Sequence, residues 1–155
     1  EAHCVDCGHG TFQLATGKTT CDNCATCPAG KWRFGCTLGS AGTCEVCADG
    51  SYKAGHHNWD SGCTQCGKGK FGDVTSSHTG EHHCKNCPAG KYVDVSGSDN
   101  EADCINCAAG KYVFLPGSNN ASDCIECGVG KYLDYAGGDE VTDCIDCPKG
   151  RGWMD

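Results

Sequence analysis

The chain has 155 residues, 18 of them cysteine and 24 glycine, and carries a net charge of −8. Only 19 residues are Leu, Ile, Val or Phe, well short of the roughly 20% that fills an ordinary globular core, so burial alone does not offset the entropy of ordering this chain. The acidic balance argues against nucleic acid or an anionic membrane as partner, and no apolar run approaches a membrane-spanning length. A first residue of Glu1 instead of Met points to a processed product or a piece of a longer chain.

A repeat dominates the sequence. Cys-x-x-Cys begins at Cys4, Cys24, Cys44, Cys63, Cys84, Cys104, Cys124 and Cys144, in steps of 19 to 21 residues. Residues 1–155 therefore read as one continuous repeat array. A glycine follows three residues after the second cysteine of each pair, and two residues later comes an aromatic: Phe12, Trp32, Tyr52, Phe71, Tyr92, Tyr112 and Tyr132. In the eighth unit the aromatic slips by one, to Trp153.

In chain order, the first unit, "CVDCGHGTFQLATGKTTC", holds an extra cysteine, Cys21, and the second holds Cys36 within "KWRFGC". The third and fourth units carry His56-His57, Trp59 and His82-His83. The next three are the most regular: "GKYVDVSGSDNEADC", "GKYVFLPGSNNASDC" and "GKYLDYAGGDEVTDC". Each predicts a hairpin: glycine permits a positive-φ turn, Lys-Tyr-Val/Leu starts a β-prone strand, a polar stretch turns the chain, and Asp-Cys returns it. No helical periodicity is present. A single such hairpin is marginal alone, and stacking would bury each aromatic against a neighbour's cysteines. The expected fold is small and disulfide-rich: an elongated array of about eight stacked β-hairpin repeats, without helix.

Two chemistries fit paired Cys-x-x-Cys motifs. Four thiolates across a suitable gap form a zinc site. Against zinc, every spacer here is alike, whereas a zinc ribbon uses its pairs two at a time. No Lys/Arg-rich surface accompanies the pattern, and Cys21 and Cys36 fall outside it. A redox Cys-x-x-Cys needs a low-pKa thiol at a helix start, which loops do not provide. Disulfides are the better reading. The second cysteine of each pair then joins the first of the next: Cys7–Cys24, Cys27–Cys44, Cys47–Cys63, Cys66–Cys84, Cys87–Cys104, Cys107–Cys124 and Cys127–Cys144. Each closure contributes about 3 kcal/mol through the unfolded state.

Four cysteines remain. Either Cys21 joins Cys36, or Cys4–Cys21 and Cys7–Cys24 cross. Both solutions leave Cys147 without a partner in its own chain. An odd thiol in a secreted protein points to intermolecular pairing, with Cys4 or Cys36 of another copy as its mate. A head-to-tail contact of this kind builds a filament.

The stretch "CPAGKYVDVSGSDNEADCINCAAGKYV" resembles the tandem cysteine-rich repeat found beside ephrin-receptor ectodomains and in secreted or surface proteins of algae and other protists. The unit is also similar to the single-disulfide module of tumour-necrosis-factor receptors. "CVDCGHGTFQLATGKTTCDNC" is similar to their crossed two-disulfide module, which favours the crossed pairing of Cys4 and Cys21. The resemblance implies an extracellular or cell-surface location, disulfides, and a role in adhesion, scaffolding or ligand binding. It implies no enzyme and no cofactor. Cys36 and the shifted Trp153 depart from the pattern.

Asn120-Ala121-Ser122 is an N-glycosylation acceptor at a predicted hairpin tip. Thr75, Ser76, Ser77 and Thr79 are weaker O-linked candidates. His56-His57 and His82-His83 read as solvated loop residues before metal ligands, and the Asp99-Asn100-Glu101 tip as a solvated turn, since no EF-hand spacing is present. The expected function is an extracellular structural protomer that polymerises with copies of itself and carries glycans. The alternatives are a receptor stalk or ligand-binding ectodomain, favoured by an exposed aromatic patch around Trp32-Arg33-Phe34 or Trp59, and a zinc-binding interaction module.

Overall fold

The computed structural model describes residues 4–55, 62–73, 75 and 77–151. His56, His57, Trp59, Ser76 and Trp153 lie outside the described residues. Among the described residues, seven two-stranded antiparallel sheets follow one another along the chain. Among the described residues there is no α-helix, only single 3-10 turns at Glu81–His83, Glu101–Asp103, Ala121–Asp123 and Val141–Asp143.

The chain divides into two compact units. One comprises Glu1–Ala48, Tyr52–Thr64 and Ser77–Glu81; the other comprises Asp49–Ser51, Gln65–Ser76 and His82–Asp155. In the first, Thr11–Phe12 pairs with Asp22–Asn23, and a longer hairpin pairs Lys31–Thr37 with Ser40–Val46. Its backbone folds back on the first repeat, where Gln13 N donates to Leu38 O and Ala25 N to Ala41 O, both at 2.9 Å.

The second unit contains the regular repeats. Lys91–Tyr92 pairs with Ile105–Asn106, Lys111–Tyr112 with Ile125–Glu126, and Lys131–Tyr132 with Ile145–Asp146. Successive layers are joined through the main chain. Gly69, Gly90 and Gly110 N–H groups donate to the carbonyls of Val93, Val113 and Leu133 at 2.7 to 2.8 Å. The Gly97, Gly117 and Gly137 amides reach the Cys66, Cys87 and Cys107 carbonyls at 2.8 Å. Any residue but proline could donate these bonds; what calls for glycine after each cysteine pair is the positive φ, to which close approach of the next layer adds at Gly69 and Gly90. Gly90 has φ +82, and a Cβ there would run into the Gly137 carbonyl. Gly110, at φ +83, has nothing within 4 Å of such a Cβ.

The core is divided into small parcels. Cys107, Cys124 and Val113 form one, with Tyr92 packed against it; Cys127, Cys144 and Leu133 form another, with Tyr112 against it. Phe71 joins Cys87, Cys104 and Val93 in a third. Each layer thus buries one disulfide, one aliphatic side chain and the aromatic of the layer before. Val93, Val113 and Leu133 are the most deeply buried aliphatics. Burying one such side chain is worth about 1.5–3 kcal/mol, the same scale as the crosslink beside it.

Eight disulfides are formed. Cys27–Cys44, Cys47–Cys63, Cys66–Cys84, Cys87–Cys104, Cys107–Cys124 and Cys127–Cys144 follow the ladder rule, with Cα separations of 5.5 to 5.8 Å. The first repeats differ. Cys7 bonds Cys21 and Cys24 bonds Cys36, so neither Cys7–Cys24, Cys4–Cys21 nor Cys21–Cys36 exists. The cause is register. Phe12 lies opposite Asp22 as Tyr92 lies opposite Ile105. Cys24 N donates to Gly10 O at 2.9 Å, the bond that Cys107 N makes to Gly90 O at 2.8 Å. Cys21 therefore occupies the place that Cys104 fills later, and Cys24 the place of Cys107. The pair that closes the first repeat is Cys21-Asp-Asn-Cys24, overlapping Cys24-Ala-Thr-Cys27. Cys36 is consumed within the chain and is unavailable to Cys147. Cys4 and Cys147 are the free cysteines among the described residues.

A second correction concerns His83. It is fully buried in the 3-10 turn before Cys84, not a solvated loop residue. Glycine at position 72 makes the space, since a Cβ there would lie 2.9 Å from His83 Nε2. His82, one residue earlier, is exposed.

Candidate functional site: a repeated apolar and acidic face

Among the described residues no group of three or more His, Cys, Asp or Glu side chains is placed to hold a metal. What recurs instead is a surface concavity in two successive repeats. After Lys91–Tyr92 the chain runs through buried Val93 to exposed Val95, turns at Gly97, and returns through the 3-10 turn Glu101–Asp103 to Ile105. Val95, Ser98, Asp99, Asp103 and Ile105 line a hollow of about 450 Å³. One repeat later Phe114, Leu115, Ser118, Asp123 and Ile125 line its counterpart, of about 360 Å³. Tyr135 and Ile145 hold the same sequence positions in the next repeat.

The apolar residues of this face stay in water. Val95, Phe114 and Leu115 are 54 to 60% exposed, and Ile105 and Ile125 are 49% and 43% exposed. Local capping fixes the walls. Asn100 Oδ1 accepts from Ala102 N at 2.9 Å, and Asp103 Oδ2 accepts from Asp99 N and Asn100 N at 3.2 and 3.3 Å. Asn120 and Asp123 repeat the arrangement, with Asn119 N and Asn120 N at 2.9 and 3.1 Å from Asp123 Oδ2. Asp143 accepts from Asp139 N and Glu140 N in turn. Those two N–H groups, and the Tyr135 hydroxyl after them, hold the Asp143 carboxyl below the usual range, while the bond to Asp143 pushes the Tyr135 phenol up.

Sequence reasoning missed these caps, though Asn-x-x-Asp recurs at Asn100–Asp103 and Asn120–Asp123 as a capping signature. It also passed over the exposed isoleucines, which stand before Asn106, Glu126 and Asp146 in every regular repeat.

Of the glycosylation candidates, Asn120 belongs to the capped wall of the second hollow, and Thr75, Ser77 and Thr79 lie away from both hollows. Asn120 is exposed, and its Oδ1 accepts from both Ser122 N and Ser122 Oγ at 3.0 Å. Thr75 Oγ1 donates to Asp73 Oδ1 at 2.7 Å, and the Ser77 and Thr79 hydroxyls are 3.0 Å apart. In the first unit, Trp32 and Phe34 sit two residues apart on one strand with ring centroids 5.5 Å apart, edge to face. Phe34 is 58% exposed.

Residues 75–124 match the family model described as tyrosine-protein kinase ephrin type A/B receptor-like. That segment is an ephrin-receptor-like cysteine-rich repeat, and the same hairpin and crosslink recur outside it. No curated protein matches the chain. Among solved structures it is similar to a chain of the mouse RANKL-OPG complex, at 18% identity over 83% of this chain and 95% of that one, with a TM-score of 0.31. It is similar to a chain of the human RANKL/OPG complex at 17% identity over 86% and 80%, with a TM-score of 0.32. Scores that low carry no functional conclusion. Eight disulfides persist only where the surroundings are oxidising, which together with the ephrin-receptor-like repeat marks an extracellular or cell-surface type of module. No helix among the described residues is long and apolar enough to cross a membrane.

Proposed function

We propose that this chain is part of an extracellular recognition ectodomain, a disulfide-stapled scaffold whose repeating face holds a protein partner. The observation that carries the reading is the pair of equivalent apolar hollows in successive repeats. Scattered surface apolar residues need no explanation, but apolar residues recurring in register on one face signal an interaction site. Staples and caps hold that face in shape before any partner arrives, which lowers the entropy cost of binding. Light scattering and sedimentation of the oxidised protein test the reading: it requires monomers, each with 16.1 kDa of polypeptide, and long particles would overturn it. On the same scaffold, Asn120 carries an N-linked glycan; Asn120→Gln then abolishes the mass lost on treatment with an N-glycosidase.

A second reading makes the chain a head-to-tail filament protomer joined through Cys147 and Cys4. Its support is the position of Cys147, whose amide donates to Gly130 O at 2.8 Å. The Cys87, Cys107 and Cys127 amides make the same bond, and each of those sulfurs bonds forward to the next repeat. Reductant-sensitive multimers on a gel, abolished by Cys147→Ser, support it; a monomer band without reductant removes it.

A further inference from the structure

We propose that the repeated face takes a basic segment of a partner protein, in which apolar side chains seat in the hollows and lysine or arginine side chains meet the carboxylates around them. This rests on the recognition reading and names the chemistry of the partner. Two observations carry it.

The first is the distribution of charge. Residues 90–146 hold eleven carboxylates against three lysines, a net of −8, which is the net charge of the whole chain. The other residues together are neutral, so the acidity belongs to the repeats that form the hollows. Lys111 and Lys131 are engaged across their own hairpins by Glu126 and Asp146, at 3.1 and 2.8 Å. Among the described residues no ion pair reaches Asp94, Asp99, Asp103 or Asp123, all of which line the hollows.

The second is the apolar floor: Val95 with Ile105, then Leu115 with Ile125, at the same register one repeat apart.

Charge also selects among occupants. A second copy would set one acidic face against another, and like charges brought together oppose association. An anionic polymer meets the same repulsion. A cationic segment gains in both encounter rate and register, and its attraction is screened by salt.

The test uses the intact oxidised chain and three synthetic peptides, alternating leucine–lysine, leucine–glutamate and serine–lysine, with binding followed by calorimetry and by amide chemical shifts. The leucine–lysine peptide is expected to bind, to shift the signals around Ile105 and Ile125, and to weaken as salt rises. Ile105→Ser with Ile125→Ser should reduce its affinity roughly tenfold or more, as expected for losing apolar contacts. Asp94→Asn with Asp99→Asn should reduce affinity and flatten the salt dependence; neither side chain supports the caps, so this pair keeps the test valid if the isoleucine variants misfold. Equal binding of the glutamate or the serine peptide overturns the proposal, as do shifts confined elsewhere or affinity indifferent to these variants. A concentration-dependent dimer shifting the same signals also overturns it and assigns the face to a second copy. A monomeric chain that fails to bind the leucine–lysine peptide removes this partner chemistry alone; long particles remove the recognition reading itself.

Discussion

Residues 4–36 and residues 84–147 share a cysteine spacing and a hairpin, yet they are crosslinked by different rules. In the later segment each Cys-x-x-Cys pair has one possible partner on either side, and spacing names the bridge. In the earlier one Cys21, Cys24 and Cys27 stand three residues apart, so two overlapping pairs compete and spacing is silent. Backbone register decides between them: pairing Phe12 with Asp22 brings Cys21 to Cys7 and frees Cys24 for Cys36. A cysteine pattern is thus legible only where the strands leave a single register to choose.

The largest expected effect sharpens this contrast. Removing Cys107 and Cys124 together opens a crosslink with a sequence separation of 17 and takes both sulfurs out of a buried parcel. It should cost about 3 kcal/mol or more in denaturant unfolding. Removing Cys24 and Cys36 should cost less, because Cys36 is only half-buried. Mass mapping of the unreduced chain should yield peptides joined Cys7–Cys21 and Cys24–Cys36; a Cys7–Cys24 peptide breaks the comparison at its root.

Next come two glycines of equal φ. Gly110→Ala should cost about 1–2 kcal/mol, the penalty of a left-handed residue with a Cβ. Gly90→Ala adds the clash with the Gly137 carbonyl, about 1–3 kcal/mol more. Equal melting temperatures for the two would show that the layers are not closely joined at Gly90.

Caps should follow at about 1 kcal/mol each for Asn100→Ala and Asn120→Ala. Glu140→Ala at the same place should have less effect, because the Glu140 carboxylate accepts from the Thr142 hydroxyl at 3.0 Å where Asn100 and Asn120 accept a backbone amide. Acid should reveal the smallest effect. The Lys85 ammonium, then the Thr75 hydroxyl and amide, hold the Asp73 carboxyl at about 2. Its folded pKa lies below the unfolded value near 3.9. Its stabilisation is therefore complete above that value and fades as pH falls towards about 2. Asp143 is lowered in the same direction. Asp73→Asn should flatten the acid limb of a stability–pH curve, and an unchanged limb would remove the Asp73–Lys85 contact from the account.

The sequence by itself determined the period, the hairpins, the oxidised state the cysteines call for, and six of the eight bridges' partners, because these depend on short-range spacing and turn chemistry. It also held the concentration of acid in residues 90–146. Only the tertiary structure decided which cysteine of an overlapping set meets Cys7, that His83 is buried, that Val93, Val113 and Leu133 are core while Ile105 and Ile125 face water, and that equivalent residues of two successive repeats line hollows. In strands two residues long, a side chain's face is set by the layers stacked on it, and that stacking is made by backbone bonds between repeats, which leave no periodic mark on any one of them.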